Sequence, residues 1–158
     1  MLNLLIPNEA NNKTKIGKIN IIIFGIVSVI TILRSTAHVF LPDGGANSIA
    51  TIINFSENPD PDAVIYFVFA LWGLSQLLMA FFYLLVLAKY RNLIPLMWVF
   101  ILMEYSGRLL IGEILKPLEE YYFVATAPGV IGNYLAIPLA LVMIFYSLYG
   151  IKSKNGNA

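Results

Sequence analysis

The stretch LIPLMWVFILMEYSGRLLIGEIL, residues 93–115, decides the fold, because it is apolar and long enough to cross a membrane yet carries two charges in its middle. Glu104 and Arg108 lie four residues apart, so a helix projects both from one face, where they can pair. If the helix begins at Leu93, they lie about 17 and about 23 Å along a path through about 30 Å of hydrocarbon. Each charge costs at least about 2.5–3.5 kcal/mol at that depth unless it faces the protein interior. The pair therefore indicates a buried functional site or a structural salt bridge.

The composition predicts an integral membrane protein. Of the 158 residues, 59% are hydrophobic and 12% are charged, whereas about 25% are charged in soluble domains. The net charge of +1, with the basic residues in small clusters, argues against a nucleic-acid partner. The chain has no cysteine and one histidine, His38, which leaves too few ligands for a typical zinc or bis-histidine haem site. We predict no metal site, and no motif identifies a cofactor.

Four apolar runs predict an all-α bundle of four transmembrane helices with up-down-up-down topology. The predicted spans are residues 19–41, 63–88, 93–115 and 130–151. They form one membrane domain, residues 19–151, which follows a mobile polar leader, residues 1–18, and precedes a short tail, residues 152–158. Glu113, near the end of the third span, is expected to reach the headgroup region as an interfacial anchor.

The segment between the first two spans contains turn signals at both ends, Asp-Gly-Gly and Asn-Pro-Asp-Pro. Between them, Ile49, Ile52 and Ile53 share one face of a hypothetical helix. The pattern predicts either a short interfacial helix or a packed loop, lying against the outer surface of the membrane.

Basic residues predict the orientation. Seven Lys and Arg residues flank the spans in the leader, the 89–92 link and the tail, whereas Lys116 is the only one in the loops on the opposite side. Cytoplasmic loops carry the excess of Lys and Arg. We therefore predict that both termini are cytoplasmic, in a bacterial inner membrane.

Polar residues on the first two spans can join the charges of the third. Arg34 and His38 belong to a polar stripe on span one, and Trp72 and Gln76 share a face of span two. His38 is expected as a hydrogen-bonded interfacial histidine or as a ligand or proton shuttle. Gln76 fits either a helix-packing contact or a site residue. With up-down topology, these side chains fall at similar depths in the outer half of the bilayer.

The candidate ligand-binding residues are therefore Arg34, His38, Trp72, Gln76, Glu104 and Arg108. Two guanidiniums against one carboxylate favour an anionic or carbonyl-bearing guest, such as a lipid headgroup, a fatty-acid carboxylate or a quinone oxygen. The leading hypothesis is a lipid-like or quinone-like ligand-binding protein or accessory subunit of a membrane complex, with membrane lipids, other subunits or a homo-oligomer as partners. The alternatives are a small enzyme acting on a lipid or quinone, with Glu104 or His38 as acid or base, and an oligomeric transporter. No established catalytic motif is found, and the catalytic residues of an enzyme are unknown.

Overall fold

The computed structural model describes residues 5–14 and 16–155, and in that part of the chain the fold is helical without strands. Its helices are α1 (Lys18–Phe40), α2 (Asp62–Lys89), α3 (Ile94–Leu109), which continues as a π-helix (Leu110–Leu115), and α4 (Pro128–Asn155). Short 3-10 turns occupy Arg91–Leu93 and Glu120–Tyr122. The prediction of four helices long and apolar enough to cross a membrane is confirmed.

The helices associate most closely as two pairs, α1 with α2 and α3 with α4. Gly73 of α2 explains the close approach of the first pair, because a Cβ at this position would lie 2.6 Å from the Cβ of His38 on α1. Small residues at such positions allow two helix backbones to approach. The facing surfaces of α2 and α3 touch much less, so a groove is left between the two pairs.

At one end of the molecule, here called the leader end, the polar leader is bound to the link between α2 and α3. The Asn92 side chain donates to the Glu9 carbonyl at 2.7 Å and accepts from the Asn11 backbone N–H at 2.9 Å, while the Asn12 side chain donates to the Ala88 carbonyl at 2.9 Å. Asparagine side chains thus satisfy polar backbone groups of both segments, and the mobility expected for the leader stays a prediction.

At the opposite end, here called the loop end, residues 41–61 and 116–127 pair with each other. Ile52 and Phe123 form an antiparallel bridge, and Val124 N–H donates to the Thr51 carbonyl at 2.9 Å. Of the two alternatives for this segment, the loop is right and the short helix is wrong. Gly44, Gly45 and Thr51 have φ values of 59°, 76° and 59°, which interrupt any regular helix.

The apolar core lies in the leader-end half. Phe24 of α1 is fully buried and meets the Tyr83 and Trp98 rings edge-on, with centroids 5.4 and 5.8 Å away. Beside it, fully buried Asn20 accepts from Trp98 Nε1 at 2.7 Å and donates to Ser147 Oγ at 2.5 Å. These three side chains, the neutral network, join α1, α3 and α4.

Candidate ligand-binding site

Four polar side chains from three helices form one cluster in the loop-end half of the bundle. The Gln76 Oε1 atom on α2 lies at its centre and accepts two hydrogen bonds, from Arg34 Nη2 at 3.0 Å and from Arg108 Nη2 at 3.1 Å. Arg108 also donates to Glu104 Oε1 one turn earlier on α3, forming a salt bridge. Arg34, Gln76, Glu104 and Arg108 are called the charged cluster below.

The spacing on α3 produces the predicted ion pair, since residues four apart share a helix face. The side chains of Glu104 and Arg108 keep 24% and 19% of their accessible surface. They are therefore shielded by the protein without being sealed inside it. Arg34 is also partly buried, and its Nε atom is fully enclosed with no acceptor among the described residues.

The Trp72 ring packs against both guanidiniums of the charged cluster. The guanidinium carbons of Arg34 and Arg108 lie 5.6 and 4.9 Å from the centre of its ring. Tyr105 adds a second aromatic face, 5.0 Å from the Arg108 guanidinium carbon. Such cation–π contacts contribute about 0.5–2 kcal/mol each, and here they help to hold both cations without further carboxylates.

His38 lies next to the charged cluster but is bonded elsewhere. Its Nδ1 atom is 2.7 Å from the Gly44 carbonyl oxygen, and its ring packs on Trp72 with centroids 4.8 Å apart. A carbonyl oxygen only accepts, so Nδ1 carries the proton. The hydrogen-bonded reading of His38 describes this geometry, in which the histidine attaches the loop-end turn to α1.

A groove between α2 and α3 leads from the molecular surface to the charged cluster. Its volume is about 440 Å³, and its lining side chains are Ser75, Gln76, Met79, Tyr83, Phe100, Met103 and Glu104. Gln76 and Glu104 thus belong to both the cluster and the groove wall, whereas neither arginine lines the groove. We call this feature the α2–α3 groove.

Two other cavities lie at the loop end, away from the charged cluster. One, of about 360 Å³, has a wholly apolar surface lined by residues such as Phe55, Phe69 and Tyr122. The other, of about 450 Å³, lies beside residues 123–127 and includes one charged residue, Glu120, which is solvent-exposed. Neither combines buried charge with an apolar wall, as ligand pockets typically do.

The sequence favours Trp72, Tyr83 and Tyr105 as the apolar walls of a pocket, and of these three only Tyr83 lines the groove. The walls formed by Met79 and Phe100 were missed. Met79 is three residues after Gln76, and Phe100 is four residues before Glu104, so helical spacing already places each beside its polar neighbour. The interfacial role predicted for Glu113 stays a prediction. Glu113 is exposed and accepts a hydrogen bond from the Tyr134 hydroxyl at 3.2 Å.

The donor set of the cluster suits oxygen-bearing organic groups. Among the described residues, no group of three His, Asp or Glu side chains is placed to hold a metal ion. Comparison of the chain with protein-family models, curated proteins and solved structures finds no match. The charged cluster and its groove are therefore the features of this chain that indicate a function.

Proposed function

We propose that this protein is an integral membrane protein that binds a lipid-like or quinone-like amphiphile in the α2–α3 groove, alone or as an accessory subunit of a membrane complex. The observation that carries the proposal is that Gln76 and Glu104, both held in place by guanidiniums, form the polar wall of an otherwise largely apolar groove. Ionisable residues at membrane depth usually mark function. The ligand's headgroup binds at this wall and its tail remains among Met79, Phe100 and Met103.

The groove chemistry matches such a ligand. Methionine adapts to irregular hydrocarbon tails and phenylalanine adds a large apolar surface. Met103 and Phe100 keep 64% and 45% of their surface exposed. In a bilayer these side chains face acyl chains, so an amphiphile enters sideways from the membrane. A few fixed polar groups in an apolar wall are the usual arrangement for orienting a small ligand.

The bundle that holds the site is proposed to have up-down-up-down topology with both termini in the cytoplasm. Contacts at the two ends support it, because the leader meets the α2–α3 link, and the segments after α1 and α3 meet each other. The leader, link and tail are also the basic segments. The charged cluster then lies in the outer half of a bacterial inner membrane.

The enzyme alternative is weakened by the same geometry. A general acid or base needs a proton-exchanging group that can reach its substrate. The Glu104 carboxylate is paired with Arg108, and His38 is buried and does not line the groove. Both placements fit side chains that bind and position. An oligomeric transporter remains an alternative without a specific observation in its favour.

Single-cysteine labelling tests the topology, and the chain has no native cysteine to remove. A cysteine replacing Ser153 is expected to be protected from an impermeant maleimide in intact cells, whereas one replacing exposed Glu57 reacts. The reverse pattern would invert the proposed orientation.

Mass spectrometry of extracted protein tests the ligand. Met79→Trp fills the groove, whereas Leu78→Trp adds the same ring at a neighbouring position that does not line it and is 61% exposed. We expect the parent and Leu78→Trp to retain a co-purifying amphiphile, and Met79→Trp to lose most of it. Equal retention by both variants would contradict binding in the groove.

A further inference from the structure

The orientation of the Gln76 amide is determined by its two arginine partners. A guanidinium has five N–H donors and no acceptor, so only the amide oxygen can face it. Arg34 and Arg108 both donate to Oε1. The Nε2 group consequently points away from both cations, and because Gln76 lines the groove, this amide nitrogen is a donor at the groove. Ser75 and Tyr83 also line the groove, and the Ser75 hydroxyl already donates to the Trp72 carbonyl.

Glu104 supplies the opposite character. Its Oε1 atom accepts from Arg108, and its side chain, which lines the groove, is still 24% exposed. An ionised carboxylate only accepts hydrogen bonds, so Oε2, which has no partner among the described residues, is an acceptor. Gln76 and Glu104 thus place a donor from α2 and an acceptor from α3 at the same groove.

We propose that the α2–α3 groove selects a neutral amphiphile whose headgroup is a hydroxyl, a group that accepts from Gln76 Nε2 and donates to Glu104 Oε2. This inference rests on the proposed function and specifies its ligand. A carboxylate headgroup would meet the Glu104 carboxylate, while the arginines that attract anions lie behind the groove wall. A ketone or quinone oxygen would satisfy Gln76 but leave Glu104 without a donor. The two chemical sources of such a hydroxyl are an aliphatic alcohol, as in a fatty alcohol or diacylglycerol, and a phenol, as in a quinol.

Fluorescence quenching measures this selectivity on the full chain in detergent. The chain has two tryptophans, Trp72 beside the charged cluster and fully buried Trp98 in the core. The probes are 16-carbon chains brominated near the headgroup that end in an alcohol, a methyl ketone or a carboxylate. We expect the alcohol to quench Trp72 with a Kd about tenfold below those of the other two, since a net hydrogen bond contributes about 0.5–1.5 kcal/mol. A brominated hydroquinone with the same tail distinguishes a phenol from an aliphatic alcohol as the natural headgroup. If the hydroquinone binds more tightly than the alcohol, the site is assigned to quinols; if it binds more weakly, the site is assigned to aliphatic alcohols.

Two substitutions shift the alcohol-to-ketone preference in opposite directions. In Glu104→Gln, Arg108 donates to the new amide oxygen, so the new amide nitrogen faces the groove. The side chains at positions 76 and 104 then both donate, and we expect the ketone to bind as well as or better than the alcohol. In Gln76→Glu, the donor is replaced by an acceptor, so the ketone weakens by a further factor of about ten and the alcohol retains its partner. Gln76→Glu also balances the charge of the two arginines, so it keeps the test available if Glu104→Gln folds poorly.

The outcomes separate the headgroup assignment from the proposed function. A carboxylate that binds most tightly, or a preference left unchanged by both substitutions, would overturn the hydroxyl assignment while leaving amphiphile binding intact. The absence of Trp72 quenching by every probe would instead overturn the proposed function, and the assignment with it.

Discussion

Buried polar groups are arranged differently in the two halves of the bundle. In the leader-end half, the neutral network of Asn20, Trp98 and Ser147 pairs its donors and acceptors within the protein, inside a closed apolar core. In the loop-end half, the charged cluster is partly exposed, and its Gln76 and Glu104 side chains border a groove. A closed and satisfied network stabilises and specifies packing, whereas polar groups at a groove can bind a ligand.

The largest expected effect on stability belongs to the closed half. Asn20→Ala removes the acceptor of Trp98 Nε1 and the donor to Ser147, and leaves a small void in a fully buried position. We expect the free energy of unfolding in detergent to fall by about 2–3 kcal/mol, because a buried donor without a partner costs about 1–3 kcal/mol. Amphiphile binding by the folded fraction should be unchanged.

Ile19→Ala is the matched control for this prediction. Ile19 precedes Asn20 on α1 but is 57% exposed, so its truncation should change the unfolding free energy by less than about 0.5 kcal/mol. If Asn20→Ala were no more destabilising than Ile19→Ala, the neutral network would not be the structural anchor of this half.

A smaller loss of stability is expected in the open half. Glu104→Gln leaves two guanidiniums without their carboxylate, and breaking a fully buried pair typically costs about 3–5 kcal/mol. The exposed fractions of 24% and 19% reduce that figure, so we expect about 1–2 kcal/mol by thermal or denaturant unfolding in detergent. Unlike Asn20→Ala, this change should also alter ligand selectivity. A Glu104→Gln protein as stable as the parent would show that the pair is not required by the fold.

Helical periodicity explains why part of this contrast was visible in the sequence. Glu104 and Arg108 are four residues apart in an apolar run, and both the span and the pairing follow from that spacing. Asn20 was missed because an amide near the start of a span looks like an interfacial residue. Its partners Trp98 and Ser147 are 78 and 127 residues away, and only tertiary packing brings them together.

The loop end shows a different limit of sequence reasoning. The isoleucines of residues 49–53 matched a helical face, but local periodicity takes no account of backbone conformation or of a distant partner segment. Positive φ angles at Gly44, Gly45 and Thr51 and pairing with residues 122–124 determine the observed loop. Likewise, no pattern in the apolar sequence after Arg108 predicts the π-helix. Tertiary contacts outweighed a short periodic signal in this segment.

Asp43 stabilises the loop that replaces the predicted helix. Its carboxylate accepts hydrogen bonds of 2.9, 3.1 and 2.7 Å from the backbone N–H groups of Gly45, Asn47 and Ser48. Partial burial raises the pKa of this carboxyl, but the hydrogen bonds lower it more, so the pKa in the folded protein lies below the ordinary value of 3.8.

The smallest expected effect is therefore a pH dependence of stability that is confined to acidic pH. A folded-state pKa below the unfolded value means that the unfolded chain takes up the proton first, so the contribution of Asp43 is complete above pH 3.8 and is lost as the pH falls through the folded pKa. Asp43→Asn cannot titrate and keeps only one acceptor oxygen, so its melting temperature should lie a little below that of the parent at pH 6. As the pH falls below 3.8, the two curves should converge, because protonation removes the parent's advantage. The comparison of the two proteins cancels the other carboxyl groups. A difference in melting temperature that stays constant down to the acid end would mean that the hydrogen bonds to Asp43 do not depend on its charge.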